Sequence, residues 1–355
     1  MKGLSNILTI PLATVWYVVA RLRGWLFDKG WIKSYSFSIP IICVGNLAVG
    51  GTGKTPHVEY LLRLLHQEGY RVAMLSRGYG RKTKGYILAN PMQHTAADIG
   101  DEPFQMMHNC PFATIAVCEK RVIGIQKLLK LQPTIDVIVL DDAFQHRYVK
   151  AGYNILLTDA HRLYTHDHLL PWGRLREPAQ AAKRAQAIVV TKCEQGIQPK
   201  LAVADQQQLF YSHIVYGQLL TPDMQPIPGF SLKGQRILLI VGIANPTPLV
   251  NYLKGEGAAV EVIAFADHHA FTTKDIANIN LRWQQKQCTL ALTTQKDMTR
   301  LLPMLPHLNE HLTNNLMVQP ITVDIVTGTS LQHKTSFNQT ILQYVRTNQR
   351  NCGMD

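Results

Sequence analysis

Carboxylates are the scarce side chains of this sequence: 24 Asp plus Glu stand against 36 Lys plus Arg, so the 355 residues carry a formal charge of +12. Such an excess suits polyanionic partners, whether nucleotide, phosphorylated substrate, nucleic acid or an anionic membrane surface, and does not choose among them. Cysteine is sparse and unpatterned. Cys43, Cys110, Cys118, Cys193, Cys288 and Cys352 contain no C-x-x-C pair, which argues against a zinc knuckle or a small disulfide scaffold and fits reduced thiols in a cytosolic compartment. Internal repeats and low-complexity tracts are lacking too. With 46% hydrophobic and 17% charged residues the chain is not disordered, and it is long enough for two α/β domains with buried cores.

A membrane-spanning run is also missing. No residue from Gly3 to Ala20 is charged, but Ser5, Asn6, Thr9, Pro11 and Thr14 dilute the segment, and a span needs about 20 apolar residues. A secretory signal is disfavoured, because Lys2 alone forms the basic region and no small-x-small site follows. Residues 1–30 read instead as an interfacial helix, with aromatic side chains at headgroup depth and Arg21, Arg23 and Lys29 on anionic phosphates. A helix packed on the protein's own core is the competing reading.

What the chain does have is a phosphate cradle. The apolar run Ile39 to Val44 leads into Val49-Gly50-Gly51-Thr52-Gly53-Lys54-Thr55-Pro56, and an apparent helix, Val58 to Leu65, follows. Strand, glycine turn and helix start in that order let backbone N–H groups close around anionic oxygens. Lys54 would reach the β- and γ-phosphates and Thr55 would hold Mg²⁺. Ala48 stands where the full G-x-x-x-x-G-K-[ST] pattern has its first glycine, so the match is to the shorter GGxGKT form.

Beyond it, apolar runs at 71–75, 112–118, 135–140, 153–158 and 187–190 alternate with helical stretches, the pattern of a doubly wound parallel sheet. The proline-rich segment 221–229 reads as the joint to a second α/β series that opens with strand 235–241 and helix 248–255. The expected division is an interfacial helix at 1–30, a P-loop domain at 31–220, a smaller α/β domain at 221–345 and a polar tail at 346–355.

Four further patches carry candidate chemistry. Asp141-Asp142 ends an apolar strand, where P-loop enzymes set a carboxylate beside the metal. Gly100-Asp101-Glu102-Pro103 is an acidic turn whose bland reading is a helix N-terminus with proline in its first turn. Leu170 to Pro178 brings Arg174, Arg176 and Glu177 into an irregular segment, equally readable as a phosphate and metal contact or as a surface ion pair. Asp267-His268-His269 offers a tuned imidazole or a structural one. Zinc is disfavoured: His166-Asp167-His168 lacks the i, i+4 spacing of H-E-x-x-H, and no cysteine lies nearby.

Taken together, the P-loop at 44–56, Ser76-Arg77-Gly78-Tyr79-Gly80-Arg81, Gly100 to Pro103, Asp141 to His146, Leu175 to Pro178, Asp267-His268 and Lys296-Asp297 closely resemble, in order, the motifs of the tetraacyldisaccharide 4'-kinase (lipid A 4'-kinase) family. Ala143, Trp172, Arg174 and Gln295 depart from its usual pattern. The resemblance implies a P-loop NTPase-like fold with an N-terminal membrane-interfacial helix. It also implies ATP- and Mg²⁺-dependent phosphorylation of the 4'-hydroxyl of an acylated glucosamine disaccharide 1-phosphate at the cytoplasmic leaflet of the inner membrane. It assigns Asp101 as general base supported by His268, Gly50, Gly51, Thr52, Gly53, Lys54 and Thr55 to the nucleotide, and Thr55, Asp141, Asp142 and Glu177 to metal and water. Arg77, Tyr79, Arg121 and Arg176 fall to the substrate. No obligate protein partner is implied.

Other classes fit less well. Partitioning-type ATPases share GGxGKT but place a Lys before the two glycines, where Val49 stands. A GTPase would show N-K-x-D, which is not evident, and no aromatic-rich recognition motif joins the positive charge as nucleic-acid binding would require.

Overall fold

Strands that are apolar at every position, instead of at alternate ones, belong in a sheet covered on both faces. In the computed structural model, which describes residues 2–194, 196–267, 269–327 and 335–351, that is where they lie. The first strands are β1 (Ile41–Asn46), β2 (Val72–Ser76), β3 (Ile87–Leu88), β4 (Thr114–Val117), β5 (Val137–Asp141), β6 (Tyr153–Asp159), β7 (Ala187–Thr191) and β8 (Gln208–Tyr216). Then come β9 (Arg236–Val241), β10 (Ala259–Ala264), β11 (Leu290–Thr294), β12 (Leu316–Gln319) and β13 (Ile321–Thr327). The helices are α1 (Lys2–Asp28), α2 (Lys54–Gln67), α3 (Ala96–Ile99), α4 (Asp101–Asn109), α5 (Arg121–Leu131), α6 (Thr247–Gly255), α7 (Thr273–Gln285), α8 (Gln295–Leu301), α9 (Glu310–Asn314) and α10 (Phe337–Asn351).

A nine-stranded sheet runs β13-β8-β7-β6-β1-β5-β2-β4-β3, parallel except at its two edge pairs, β13 with β8 and β3 with β4. Val58, Leu61, Leu62 and Leu65 repeat at i, i+3, i+4 and i+7 on α2 and pack with Ile42, Val44 and Val139 on one face. Ile125 and Leu128 of α5 cover the other face with Cys43, Leu75 and Leu140. Each large side chain fully buried in this way contributes roughly 1.5–3 kcal/mol. A parallel four-stranded sheet, β10-β9-β11-β12, builds a second core.

The chain crosses between the sheets twice. Leu220 and Val318 exchange backbone hydrogen bonds at 2.9 and 2.8 Å, so the outgoing and returning strands run side by side. The crossing thus sits just before the proline-rich segment. On its return the chain adds β13 to the larger sheet, and Phe337, Ile341 and Val345 of α10 join the larger core. The second sheet's elements therefore end at Gln319, not at 345, and the tail expected from 346 begins inside α10.

Candidate active site

Asn46 ends β1 and Lys54 begins α2, so residues 47–53 must turn the chain over the carboxyl edge of the sheet. Gly50 (φ +109°) and Gly53 (φ +81°) adopt the left-handed backbone this requires. A Cβ on Gly50 or Gly51 would meet nothing within 4 Å, leaving the turn open to an anion. Gly53, at the N-cap of α2, has no side chain to satisfy the first N–H groups of the helix, which stay available to phosphate oxygens.

The loop is braced on every side. Asn46 Nδ2 donates to Thr52 Oγ1 (2.8 Å), and Thr191 Oγ1 donates to the Thr52 carbonyl (3.0 Å). Val49 N donates to the Arg174 carbonyl (2.8 Å) and Arg176 N to the Leu47 carbonyl (2.7 Å), so the irregular 170–178 segment is a strap over the loop. Lys192 Nζ donates to the Gly51 carbonyl and pairs with Asp159 at 2.7 Å. Burial pushes the His57 imidazole down to about 4, so the ring is neutral. Its Nδ1 donates to the Gly53 carbonyl (2.7 Å), which leaves Nε2 to accept from the Ser212 hydroxyl (2.9 Å).

Acids gather on the β5 side. Ser76 Oγ, at the end of β2, donates to Asp141 Oδ2 at 3.0 Å. Burial first, then the negative charges of Asp142 and Glu102, push the Asp141 carboxyl up to about 6. Asp142 sits at φ +45° with its carboxylate 3.7 Å from Lys54 Nζ and 3.3 Å from Arg176 Nη1. Arg121, only 2% exposed, donates to the carbonyls of Cys118 (2.7 Å) and Asp141 (3.3 Å). Burial, then the charges of Arg121, Arg23 and Arg77, hold the His146 ring down to about 4.

Asp101 opens α4 at the seam between the two sheets. Its Oδ2 accepts from Arg300 Nε of α8 at 2.7 Å. Lys296 of the same helix pairs with Asp267 (3.2 Å) and Glu102 (3.8 Å). The glycine-loop lysine thus faces the strand-end carboxylates, and the acid held from the second sheet adjoins Glu102, whose charge acts on Asp141, an arrangement suited to moving a phosphoryl group to a hydroxyl.

Comparison with known proteins decides the family. The family described as "LpxK: Tetraacyldisaccharide-1-P 4'-kinase" matches residues 5–343. Tetraacyldisaccharide 4'-kinases of Bacteroides thetaiotaomicron and Bacteroides fragilis are 44% and 46% identical, each match covering 96% of this chain and 93% of the relative. The crystal structure of LpxK from Aquifex aeolicus in complex with ATP superposes with a TM-score of 0.76 at 28% identity, over 98% of this chain and 99% of that one. The chain belongs to the tetraacyldisaccharide-1-P 4'-kinase family.

Within this kinase most of the residues expected from sequence are drawn together, but not all in the expected company. Arg176 faces Asp142 and the Gln145 amide oxygen (3.5 Å). Glu177, expected at the metal, is buried between Arg184 (2.5 Å) and Arg23 (3.8 Å), so its carboxylate is engaged in ion pairs. Arg77 follows Ser76 at the edge of a cavity that Tyr79, 73% exposed, also lines. His268 lies outside the described residues. His57, Lys192, Arg184 and Arg300 went unread, because each has a partner, Ser212, Gly51, Glu177 and Asp101 respectively, that only the fold brings to it. The T-K pair closing the apolar run at 187–190 was the available hint for Lys192.

Proposed function

We infer that the kinase transfers the γ-phosphoryl group of ATP to the 4'-hydroxyl of an acylated glucosamine disaccharide 1-phosphate, the lipid A precursor, with Asp101 accepting the hydroxyl proton. The observation that carries this reading is Lys54 set against Asp142 at the end of β5, with Glu102, the chain neighbour of Asp101, close enough for its charge to act on Asp141. Phosphoryl transfer asks a protein mainly for alignment and charge neutralisation. Gly50 to Thr55 present backbone N–H groups to the phosphates, and Lys54 offsets charge that grows on them. Arg300 fixes the direction of the Asp101 carboxylate, and His268, next in chain to Asp267, is assigned to support it.

The donor set fits Mg²⁺. Asp141 and Asp142 offer hard carboxylate oxygens at the end of β5, with Asp142 3.7 Å from Lys54, and the Thr55 hydroxyl follows Lys54 in the chain. Asp141 and Asp142 would hold such a cation, and it would supply neutralisation of the phosphate charge there. Arg77, Tyr79, Arg121 and Arg176 are assigned to the acceptor side. Residues 31–220, with β13 and α10, form the phosphate-handling body, and the four-stranded unit carries Arg300 and Asp267 to it. The enzyme docks through α1 on the cytoplasmic leaflet of the inner membrane.

The test mixes purified, detergent-solubilised protein with Mg-ATP and the lipid disaccharide 1-phosphate. A bisphosphorylated product is expected, and its absence from a folded, ATP-binding preparation would defeat the reading.

A further inference from the structure

A cavity of about 690 Å³ opens past the carboxyl ends of β2 and β4. Strand order fixes where it stands: β5, β2 and β4 lie on one side of β1, and β6 and β7 lie on the other. The cavity is therefore on the flank of Asp141, away from Lys192. Its wall also touches the backbone that leads into Asp101. Gly78, at φ +68°, packs so closely there that a Cβ would lie 2.6 Å from the Ile99 carbonyl oxygen.

The lining is cationic. Arg77, Arg81, Lys84, Lys120 and Lys127 contribute five positive groups against the single carboxylate of Glu119. Arg81 is the inner member, its side chain 2% exposed. Its Nη2 donates to the Gly85 carbonyl (2.6 Å) and to Glu119 (2.5 Å), while Nε and Nη1, both buried, have no partner among the described residues. The buried hydroxyl of Tyr86, another lining residue, has none either. Burial pushes the Tyr86 phenol up, so it remains a donor. Each buried polar group left unsatisfied costs about 1–3 kcal/mol, and more when charged, so orphan donors around one positive cavity call for an acceptor with several oxygens. Lys120 is also the N-cap of the 11-residue α5, whose positive end adds to the field. A phosphomonoester has the charge and the oxygen geometry that a guanidinium fork matches.

We propose that this cavity seats the phosphomonoester at the far end of the acceptor, the 1-phosphate of the disaccharide, and that Arg81, Tyr86, Lys84 and Lys127 select acceptors that carry it. The assignment rests on the acceptor reading given above. It makes the cavity a specificity site: Asp101 handles the hydroxyl, and the cationic wall next to it measures whether the other end is phosphorylated.

The experiment compares two acceptors with the full-length enzyme, the acylated disaccharide 1-phosphate and the same lipid lacking that phosphate. Lys84 and Lys127 are exposed, so Lys84→Ala and Lys127→Ala test the site without disturbing the core, and Arg81→Lys probes its interior. With the 1-phosphate acceptor, loss of a charge-assisted contact should raise KM about tenfold, the equivalent of about 1.4 kcal/mol. With the unphosphorylated acceptor the variants should match the wild type, and KM for ATP should not move. Inorganic phosphate should compete with the acceptor. Equal losses on both acceptors, a shift in KM for ATP, or competition of inorganic phosphate with ATP alone would overturn the proposal. The underlying reading fails separately: a wild type that phosphorylates neither lipid refutes the kinase assignment, whereas Asp101→Asn should lower kcat on both while preserving the preference between them.

Discussion

Lys54 and Asp101 owe their assignments to different kinds of information, and their variants should behave differently. Lys54 is legible in sequence, because a glycine turn between strand and helix leaves its ammonium little else to face, and the structure places it 3.7 Å from Asp142. Lys54→Ala should reduce kcat about 10²–10³-fold, the usual consequence of losing one electrostatic donor in a preorganised site, with the fold intact by circular dichroism. Asp101→Ala should depress turnover by at least as much while ATP binding holds; near-normal turnover would end the base assignment. His57 and His146 could not be read in the same way, since their character comes from burial. Both have folded values of about 4, against about 6.5 for a free imidazole. Between those values the unfolded chain binds the extra protons, so their contribution is complete above about pH 6.5 and is lost as pH falls toward 4. His146→Asn should therefore narrow the drop in urea midpoint between pH 7 and pH 5. An unchanged drop would mean that the ring is not held neutral.

At the scale of elements, continuous apolar runs made β1, β2, β5, β6 and β7 readable to within two residues at either end, since a strand buried on both faces has few polar positions to blur it. β8 escaped because Gln208, Ser212 and His213 interrupt its apolar character. Ser212 is polar for a reason visible only in three dimensions, its bond to His57. α1 shows the opposite imbalance, with apolar side chains where water would be. Leu12, Val15, Val18, Val19 and Leu22 are each more than half exposed and recur at helical spacing, while Ala13 and Phe27 pack inward. Among the described residues no helix is long and apolar enough to cross a membrane. The inward face of α1 is pinned to the active-site loops by Trp16 Nε1 on the Arg176 carbonyl (3.0 Å), Arg23 on the Gln145 carbonyl (3.1 Å) and Arg147 on the Gly24 carbonyl (2.8 Å). Insertion of the exposed stripe into a lipid interface would be favourable by several kcal/mol, on the order of what a few buried side chains supply. The double variant Val15→Asp, Val18→Asp should abolish co-flotation with anionic liposomes and leave ATP affinity unchanged. Persistent flotation would remove α1 from the membrane contact.

For the molecule as a whole, the alternation of strands and helices announced two α/β bodies, but nothing in the sequence announced that the chain returns to the first, or that a buried ion-pair chain fastens one to the other. Arg300 stands at the centre of that fastening. One of its nitrogens meets Asp101 of the larger body at 2.7 Å and another meets Asp297 of its own helix at 3.4 Å. Asp297 is fully buried, and burial holds its carboxyl above the ordinary range despite bonds from Gly242 and Thr294. Removing one partner from such a buried set typically costs about 3–5 kcal/mol, because a charge is left behind without compensation. Arg300→Met should therefore lower the thermal midpoint of the full chain, and Arg300→Lys should recover only part of it, since an ammonium cannot hold two carboxylates in the guanidinium's fixed geometry. A double-mutant cycle isolates the bond between the bodies: Asp101→Asn should cost clearly less stability in the Arg300→Met background than in the wild type. If the two losses simply add, Arg300 is a prop for Asp297 alone, and the orientation of Asp101 is set by something else in the seam.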